Sequence, residues 1–186
     1  MKNNCIIYLL VIILVSSCNP KMDADTYARY REKGDEVTNQ SQATLLANVG
    51  KAIQEGGPEY AIEFCNLKAT PLIDSLNLMN DCIISRVSEK NRNPQNVLKT
   101  QEDKLVWKIF ESSNQPDTVL QIGKKAVYYK RIHTVLPACL KCHGNPGTDI
   151  NEATMEKLQS LYPKDLATGY SLNDFRGLWK VEFKLN

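Results

Sequence analysis

The pentapeptide Cys139-Leu140-Lys141-Cys142-His143 constrains this chain more than any other stretch. Two cysteines separated by two residues, with a histidine directly after the second, form the attachment signature of a c-type haem. The two thiols add to the vinyl groups of the porphyrin as thioethers, and the histidine is held under the iron as an axial ligand. The sequence therefore predicts one covalent haem c, attached through Cys139 and Cys142 and ligated by His143.

Three other interpretations of this motif fit the chain less well. A structural zinc site needs further cysteine or histidine ligands at short spacing, but the chain has only two histidines. A thioredoxin-like dithiol opens a helix, whereas this motif runs into the helix-breaking segment 144–147 (GNPG). A plain disulfide between Cys139 and Cys142 remains open, but it gives no reason for the adjacent His143.

The N-terminus predicts export, which c-type haem attachment requires. Lys2 precedes an apolar run over residues 5–15, which is typical of a signal-peptide core and shorter than the roughly 20 residues of a membrane-spanning helix. Residues 15–18 (VSSC) resemble the processing site of bacterial lipoproteins, where cleavage precedes a cysteine that is then acylated. We expect a signal peptide over 1–17 and a lipid on Cys18, which would hold an exported protein on the periplasmic or cell-surface side of a membrane. An ordinary signal peptide with a chance cysteine is the alternative.

Charge and cysteine usage narrow the remaining possibilities. The formal net charge is +2, which gives no indication of nucleic-acid binding. Of the six cysteines, Cys5 belongs to the signal, Cys18 to the lipid anchor and two to the haem motif. Cys65 and Cys82 are left without an assigned role.

Hydrophobic periodicity predicts helices first and antiparallel strands later. The predicted helices cover 24–39, 41–55, 59–69, 102–112 and 152–161, and the predicted strands cover 82–88, 118–122, 125–135 and 179–185. This order favours the α+β class. We predict a lipidated N-terminus, tether and first helix over residues 18–39, followed by a haem-binding domain over 40–186.

Four stretches resemble a family of bacterial periplasmic c-type haem proteins of unknown function, which includes a cyanobacterial haem protein associated with photosystem preparations. They are 61–65 (AIEFC), 86–96 (RVSEKNRNPQN), 139–144 (CLKCHG) and 162–177, in the family's order. The resemblance implies a PAS-like antiparallel sheet with N-terminal helices and a single six-coordinate haem, whose second axial ligand is Cys65. One departure is Asn173, where glycine is expected in a turn, although asparagine tolerates a left-handed backbone.

The second axial ligand has several candidates. From the residues alone, Cys65 on an apolar helical face favours core packing, whereas the resemblance implies that it ligates the iron as a thiolate. A Cys65–Cys82 disulfide is a rival in an oxidising compartment. In that case His133 or a methionine, Met79 or Met155, would take the iron's sixth position, or that position would stay open.

Two arginines in the second stretch are candidate cofactor-binding residues. The guanidinium groups of Arg86 and Arg92 suit the carboxylates of the haem propionates. A solvated loop charge is the alternative for each of them.

A thiolate ligand stabilises ferric iron, so we expect a low reduction potential. By analogy with the sensory domains that share the predicted fold, we predict a haem-based redox or gas sensor that acts through a separate signalling partner. The alternative is a periplasmic electron-transfer protein of the cytochrome c type, with a redox partner. A haem enzyme needs an open distal site with acid–base groups, and only His133 remains for that role, so we do not expect an enzyme.

Overall fold

The computed structural model describes residues 22–185, in which helices cover both faces of one antiparallel sheet. The helices are α1 (Ala24–Asn80), α2 (Gln101–Glu111), α3 (Pro137–His143) and α4 (Glu152–Leu161), with a short 3-10 helix at Pro94–Asn96. The strands are β1 (Ile83–Val87), β2 (Asp117–Ile122), β3 (Lys125–His133) and β4 (Phe175–Lys184). The predicted signal peptide over 1–17 and the predicted lipid site Cys18 lie outside the described residues.

The four strands lie in the order β1-β4-β3-β2, and every neighbouring pair is antiparallel. This confirms the predicted α+β class with an antiparallel sheet. The alternation predicted for the last strand is also observed, because Trp179, Val181 and Phe183 pack against α1 while Leu178 packs against α2. The sheet is thus the middle layer of three.

Helix α1 is interrupted by two glycines and folds back on itself. Gly56 and Gly57 have non-helical backbone angles, and Gly57 has φ 75° and ψ −174°, a conformation that glycine adopts without steric penalty. Pro58 then opens the second segment, where its fixed φ suits a first helical turn. The Asn80 amide donates to the Gln40 side chain at 3.4 Å, so the second segment returns alongside the first.

The prediction that the helix over 59–69 ends at residue 69 is wrong, because α1 continues through Pro71 to Asn80. A proline inside a helix costs about 3 kcal/mol. Ile73 and Leu76 are buried against the sheet, and each stabilises the helix by roughly 1.5–3 kcal/mol. Burial of these two side chains therefore offsets the penalty of the proline.

The first segment of α1 packs on the sheet through residues between Tyr30 and Leu45, and no helix end coincides with the predicted boundary at residue 40. The hydroxyl of Tyr30 donates to the Lys184 carbonyl at 2.9 Å, and Val37 is part of the same buried cluster. A Cβ atom at Gly34 would collide with the Tyr128 ring, so glycine permits the close approach. Residues 24–39 thus contribute to the core of the domain.

Helix α2 is fixed to the opposite face of the sheet by a buried carboxylate. Asp103 forms a capping box with Thr100 at the start of the helix, and its carboxylate accepts a hydrogen bond from the Tyr129 hydroxyl at 2.8 Å. The Lys180 ammonium lies 3.0 Å from the same carboxylate. By itself, burial would raise the pKa of Asp103, but the contacts with Lys180, Thr100 and Tyr129 outweigh it and lower the pKa.

Candidate functional site

A cavity of about 260 Å³ lies where α1, the ends of β1, β3 and β4, and helix α3 meet. It is lined by all six residues that the sequence predicted as cofactor-binding: Cys65, Arg86, Arg92, Cys139, Cys142 and His143. These residues come from α1, from β1 and the loop after it, and from α3. The fold therefore brings the predicted site residues together around one space.

The haem motif lies on the short helix α3, which begins at Pro137 and ends at His143. Helical spacing of three places Cys139 and Cys142 on the same side of this helix, and both contribute to the cavity surface. The Gly144 N–H then donates to the Leu140 carbonyl at 2.9 Å and ends the helix. Glycine fits there because a Cβ atom would crowd the Asp149 side chain and that carbonyl.

One imidazole nitrogen of His143 forms a hydrogen bond that holds the ring in place. Its Nδ1 lies 2.7 Å from the Ala167 carbonyl oxygen, which can only accept, so Nδ1 carries the proton and Nε2 keeps its lone pair. Burial and the Arg92 and Arg176 guanidinium groups hold the pKa of His143 well below its usual range. A neutral imidazole that donates Nδ1–H to a carbonyl is the form taken by metal-ligating histidines.

The Arg92 side chain joins the haem motif to the segment that holds His143. Its guanidinium donates to the Cys142 carbonyl at 2.6 Å and the Ala167 carbonyl at 3.3 Å. It also donates to the Asp165 carboxylate at 3.0 Å. We predicted Arg92 as a partner of a haem propionate; in the structure its charge is paired with Asp165.

Cys65 lies on the second segment of α1 and lines the cavity as a free thiol. Burial raises its pKa, although Arg86 and Arg92 partly oppose this. Burial also raises the pKa of Cys142 to about 11, with a smaller contribution from Cys65. The thiols of Cys65 and Cys142 therefore line the same cavity and are both buried enough for their pKa values to be raised.

A disulfide between Cys65 and Cys82, the rival interpretation, is not formed, because both thiols are free. The helix continues from Cys65 to Asn80, a rise of roughly 22 Å at about 1.5 Å per residue, and Cys82 follows just beyond the far end of the helix. A disulfide requires Cα atoms about 4.4–6.8 Å apart. Cys82 instead packs against the core between α1 and the sheet.

Of the other candidate iron ligands, the histidine lies at the cavity and the two methionines lie away from it. His133 lines the cavity, and its Nδ1 lies 2.9 Å from the Asn173 carbonyl oxygen. Met79 is 66% exposed, and Met155 packs beside the cluster between α1 and α4; neither lines the cavity. Residues 22–185 contain no group of three or more His, Cys, Asp or Glu side chains that could hold a metal ion.

Sequence reasoning did not single out Arg176, which also lines the cavity. The side chain donates to the Ser88 hydroxyl at 3.2 Å and to the Lys90 carbonyl at 3.0 Å. Its buried Nε atom has no hydrogen-bond partner in the described part of the chain. The one signal in the sequence was its place in the fourth stretch of the resemblance, at 162–177, because a single arginine near a turn has no pattern of its own.

Comparisons with known proteins agree with the resemblance inferred from the four stretches. The model of the Tll0287-like family matches residues 21–183. A solved structure described as the cyanobacterial heme-protein Tll0287 is similar, with a TM-score of 0.66, 20% sequence identity, and coverage of 84% of this chain and 95% of that chain. No curated protein matches the chain. The predicted recognition and fold are therefore confirmed, and Asn173 has the positive φ, 68°, expected of the glycine that it replaces.

Proposed function

Since the chain belongs to the Tll0287-like family, we propose that it is a haem-binding protein whose cavity holds one covalently attached haem c. The observation that carries this proposal is the convergence of Cys139, Cys142 and His143 on one cavity, with no hydrogen bond to Nε2 of His143 from any residue in 22–185. The similar cyanobacterial structure is described as a heme protein, which supports the same conclusion.

The chemistry of the cavity fits a porphyrin. Apolar side chains of α1 line one side of it: Leu45, Leu46, Val49, Ile53 and Ile62. Such a surface suits the flat apolar faces of the macrocycle. The arginines suit its two carboxylates, and Cys65 reaches the same cavity from a different element than His143 does. We therefore propose His143 and the Cys65 thiolate as the two axial ligands.

We further propose that the protein is a redox or gas sensor. Bound in this cavity, a haem would supply a one-electron couple and, with one axial position vacated, a binding place for a diatomic gas. We propose that Cys65 moves together with the helical segment on which it lies, between the break at Gly56–Gly57 and Pro71. The same segment packs on α4 through Ile62, so a shift of Cys65 would reach other elements of the domain.

The second candidate function is electron transfer, in which both axial bonds stay intact. Val135 and Leu136 directly precede α3, and each is 46% exposed. Exposed apolar side chains beside a redox centre provide a surface for transient docking.

A catalytic role has less support, because His133 is the remaining imidazole and its Nδ1 lies beside the Asn173 carbonyl. We therefore propose that the protein is not an enzyme.

Acylation of Cys18 is our proposal for how the protein is held at a membrane. The support is the VSSC sequence at 15–18 after an apolar run. No helix within residues 22–185 is long and apolar enough to cross a bilayer. Export to the periplasmic or cell-surface side would also expose the chain to the machinery that attaches c-type haem.

Haem attachment is tested by absorption spectra of protein made in a host able to attach c-type haem. We expect the wild type to keep its Soret band when it is purified under denaturing conditions. The Cys139→Ser/Cys142→Ser variant should lose the band under the same conditions. A colourless wild-type protein would overturn the proposal.

To separate the two functions, reduced protein is exposed to CO. A shifted Soret band supports the sensor, and an unchanged band supports the electron carrier.

A further inference from the structure

Two of the arginines at the cavity form no ion pair with an acidic residue of the described chain. Arg86 lies on β1 and Arg176 lies near the start of β4, and both line the cavity. Neither takes part in the ion pairs formed within residues 22–185. Arg92, by contrast, is paired with Asp165. The cavity therefore has two positive charges that form no ion pair with a carboxylate of residues 22–185.

Both guanidinium groups are held in position, but residues 22–185 leave part of their hydrogen-bonding capacity unfilled. Arg176 donates through one terminal nitrogen to Ser88 and Lys90, while its buried Nε has no partner in the described residues. Arg86 has the Trp179 ring 5.7 Å from its guanidinium carbon. Burial is the main reason that the pKa of each arginine is lowered. The charges of Arg92 and Arg86 lower the pKa of Arg176 further, while Tyr170 and Asp165 oppose this.

This arrangement is unfavourable unless an anion is bound. A buried charge is normally paired and hydrogen-bonded, because removing it from water is otherwise expensive. Two like charges that face one space add a repulsion that only negative charge in that space removes. A planar guanidinium group is well matched to a carboxylate, which it can bind through two parallel hydrogen bonds.

We propose that Arg86 and Arg176 together form the pocket for the two propionate carboxylates of the bound haem, and that Arg92 positions the haem motif instead. The inference rests on the proposed function. In a haem c the propionates lie on the edge opposite the carbons that the cysteines hold. The chain would then bind the cofactor at both ends, covalently through Cys139 and Cys142 and electrostatically through the two arginines.

The test compares Arg86→Gln and Arg176→Gln holoprotein with wild type. Arg29→Gln is the matched control, because Arg29 is exposed on α1 and does not line the cavity. We expect both cavity variants to shift the propionate bending band in the resonance Raman spectrum. We also expect a more negative reduction potential, because lost positive charge favours the ferric state. A tenfold change in the ratio of reduced to oxidised protein at fixed potential corresponds to about 59 mV.

For Arg86 the Raman band is the decisive measurement, because the charge of Arg86 also acts on Cys65 and its loss would alter the reduction potential through the thiolate. Arg86→Lys and Arg176→Lys should restore most of the potential, since the charge is kept, but not the band, since the paired hydrogen bonds are lost. If Arg176→Gln does not fold, Arg86→Gln still tests the inference, because this variant keeps the hydrogen bonds that Arg176 donates to Ser88 and Lys90.

Two negative outcomes are distinguishable. Wild-type protein without covalent porphyrin would overturn the proposed function and this inference with it. Full haem content in Arg86→Gln and Arg176→Gln, with a band and potential equal to those of Arg29→Gln, would overturn this inference alone.

Discussion

Replacing Arg92 with glutamine should destabilise the domain substantially. Its side chain and that of Asp165 are only 12% and 9% exposed, and removing one partner of a buried ion pair typically costs about 3–5 kcal/mol. Asp165 keeps one hydrogen bond, from the Ala167 N–H at 2.8 Å, which places the expected loss near the lower limit, about 3 kcal/mol. For a chain of this size that corresponds to a fall in Tm of roughly 6–12 °C.

Urea unfolding of holoprotein measures this loss, and a double-mutant cycle identifies its source. Asp165→Asn and the double variant complete the cycle, and contacting residues of this kind show coupling of about 0.5–3 kcal/mol. Arg29→Gln, on the exposed face of α1, should leave the unfolding midpoint nearly unchanged. A loss below about 1 kcal/mol for Arg92→Gln, the range of exposed ion pairs, would refute the structural role that we assign to this arginine.

The other predictions concern an axial ligand, a pH effect and the break in α1. Cys65→Ser should abolish the EPR signature of thiolate-ligated ferric haem, whereas Cys82→Ser should leave it unchanged; equal spectra for both variants would contradict the ligand assignment. Because the pKa of Asp103 is lower in the folded state, its contribution to stability is full above the unfolded value of about 3.9 and is lost as pH falls through the folded value. Unfolding free energy measured against pH should therefore decline less steeply below about pH 4 in Asp103→Asn, and parallel curves would count against the prediction. Gly57→Ala should cost roughly 1–3 kcal/mol because of its positive φ, while Gly50→Ala, where an added Cβ meets nothing within 4 Å, should stabilise the helix; thermal melting of both variants checks the contrast.

Local patterns in the sequence predicted most elements correctly. The helix expected over 152–161 is observed as Glu152–Leu161, and the strand expected over 118–122 is observed as Asp117–Ile122. In these segments the periodicity of the apolar residues matches the faces that are buried. Such elements are predictable because the information that determines them lies within a few neighbouring residues.

Element ends were less predictable, because tertiary packing decides them. Pro71 is a helix-breaking signal in the sequence, yet α1 continues through it since Ile73 and Leu76 are buried on the sheet. The segment 24–39 reads as a charged, solvated helix, but Tyr30 and Val37 pack into the core. In both cases the stabilising partner is far away in the chain.

At the site, the covalent motif could be identified from five consecutive residues, whereas the groups around it could not. The ion pair between Arg92 and Asp165 joins positions 73 residues apart, and no local pattern connects them. Cys65 was predicted as an axial ligand only from the family resemblance, because its neighbours in the sequence indicate core packing. Arg176 was missed because what distinguishes it, a buried Nε atom without a hydrogen-bond partner in residues 22–185, can be recognised only in the folded chain.

The central claim is that a haem is bound covalently at Cys139 and Cys142. The most direct test is the intact mass of the denatured protein after expression with the haem-attachment machinery. We predict a mass increased by one haem in the wild type, with the increase retained by the peptide that contains residues 139–143. A mass equal to that of the polypeptide alone, with or without lipid, would contradict the account.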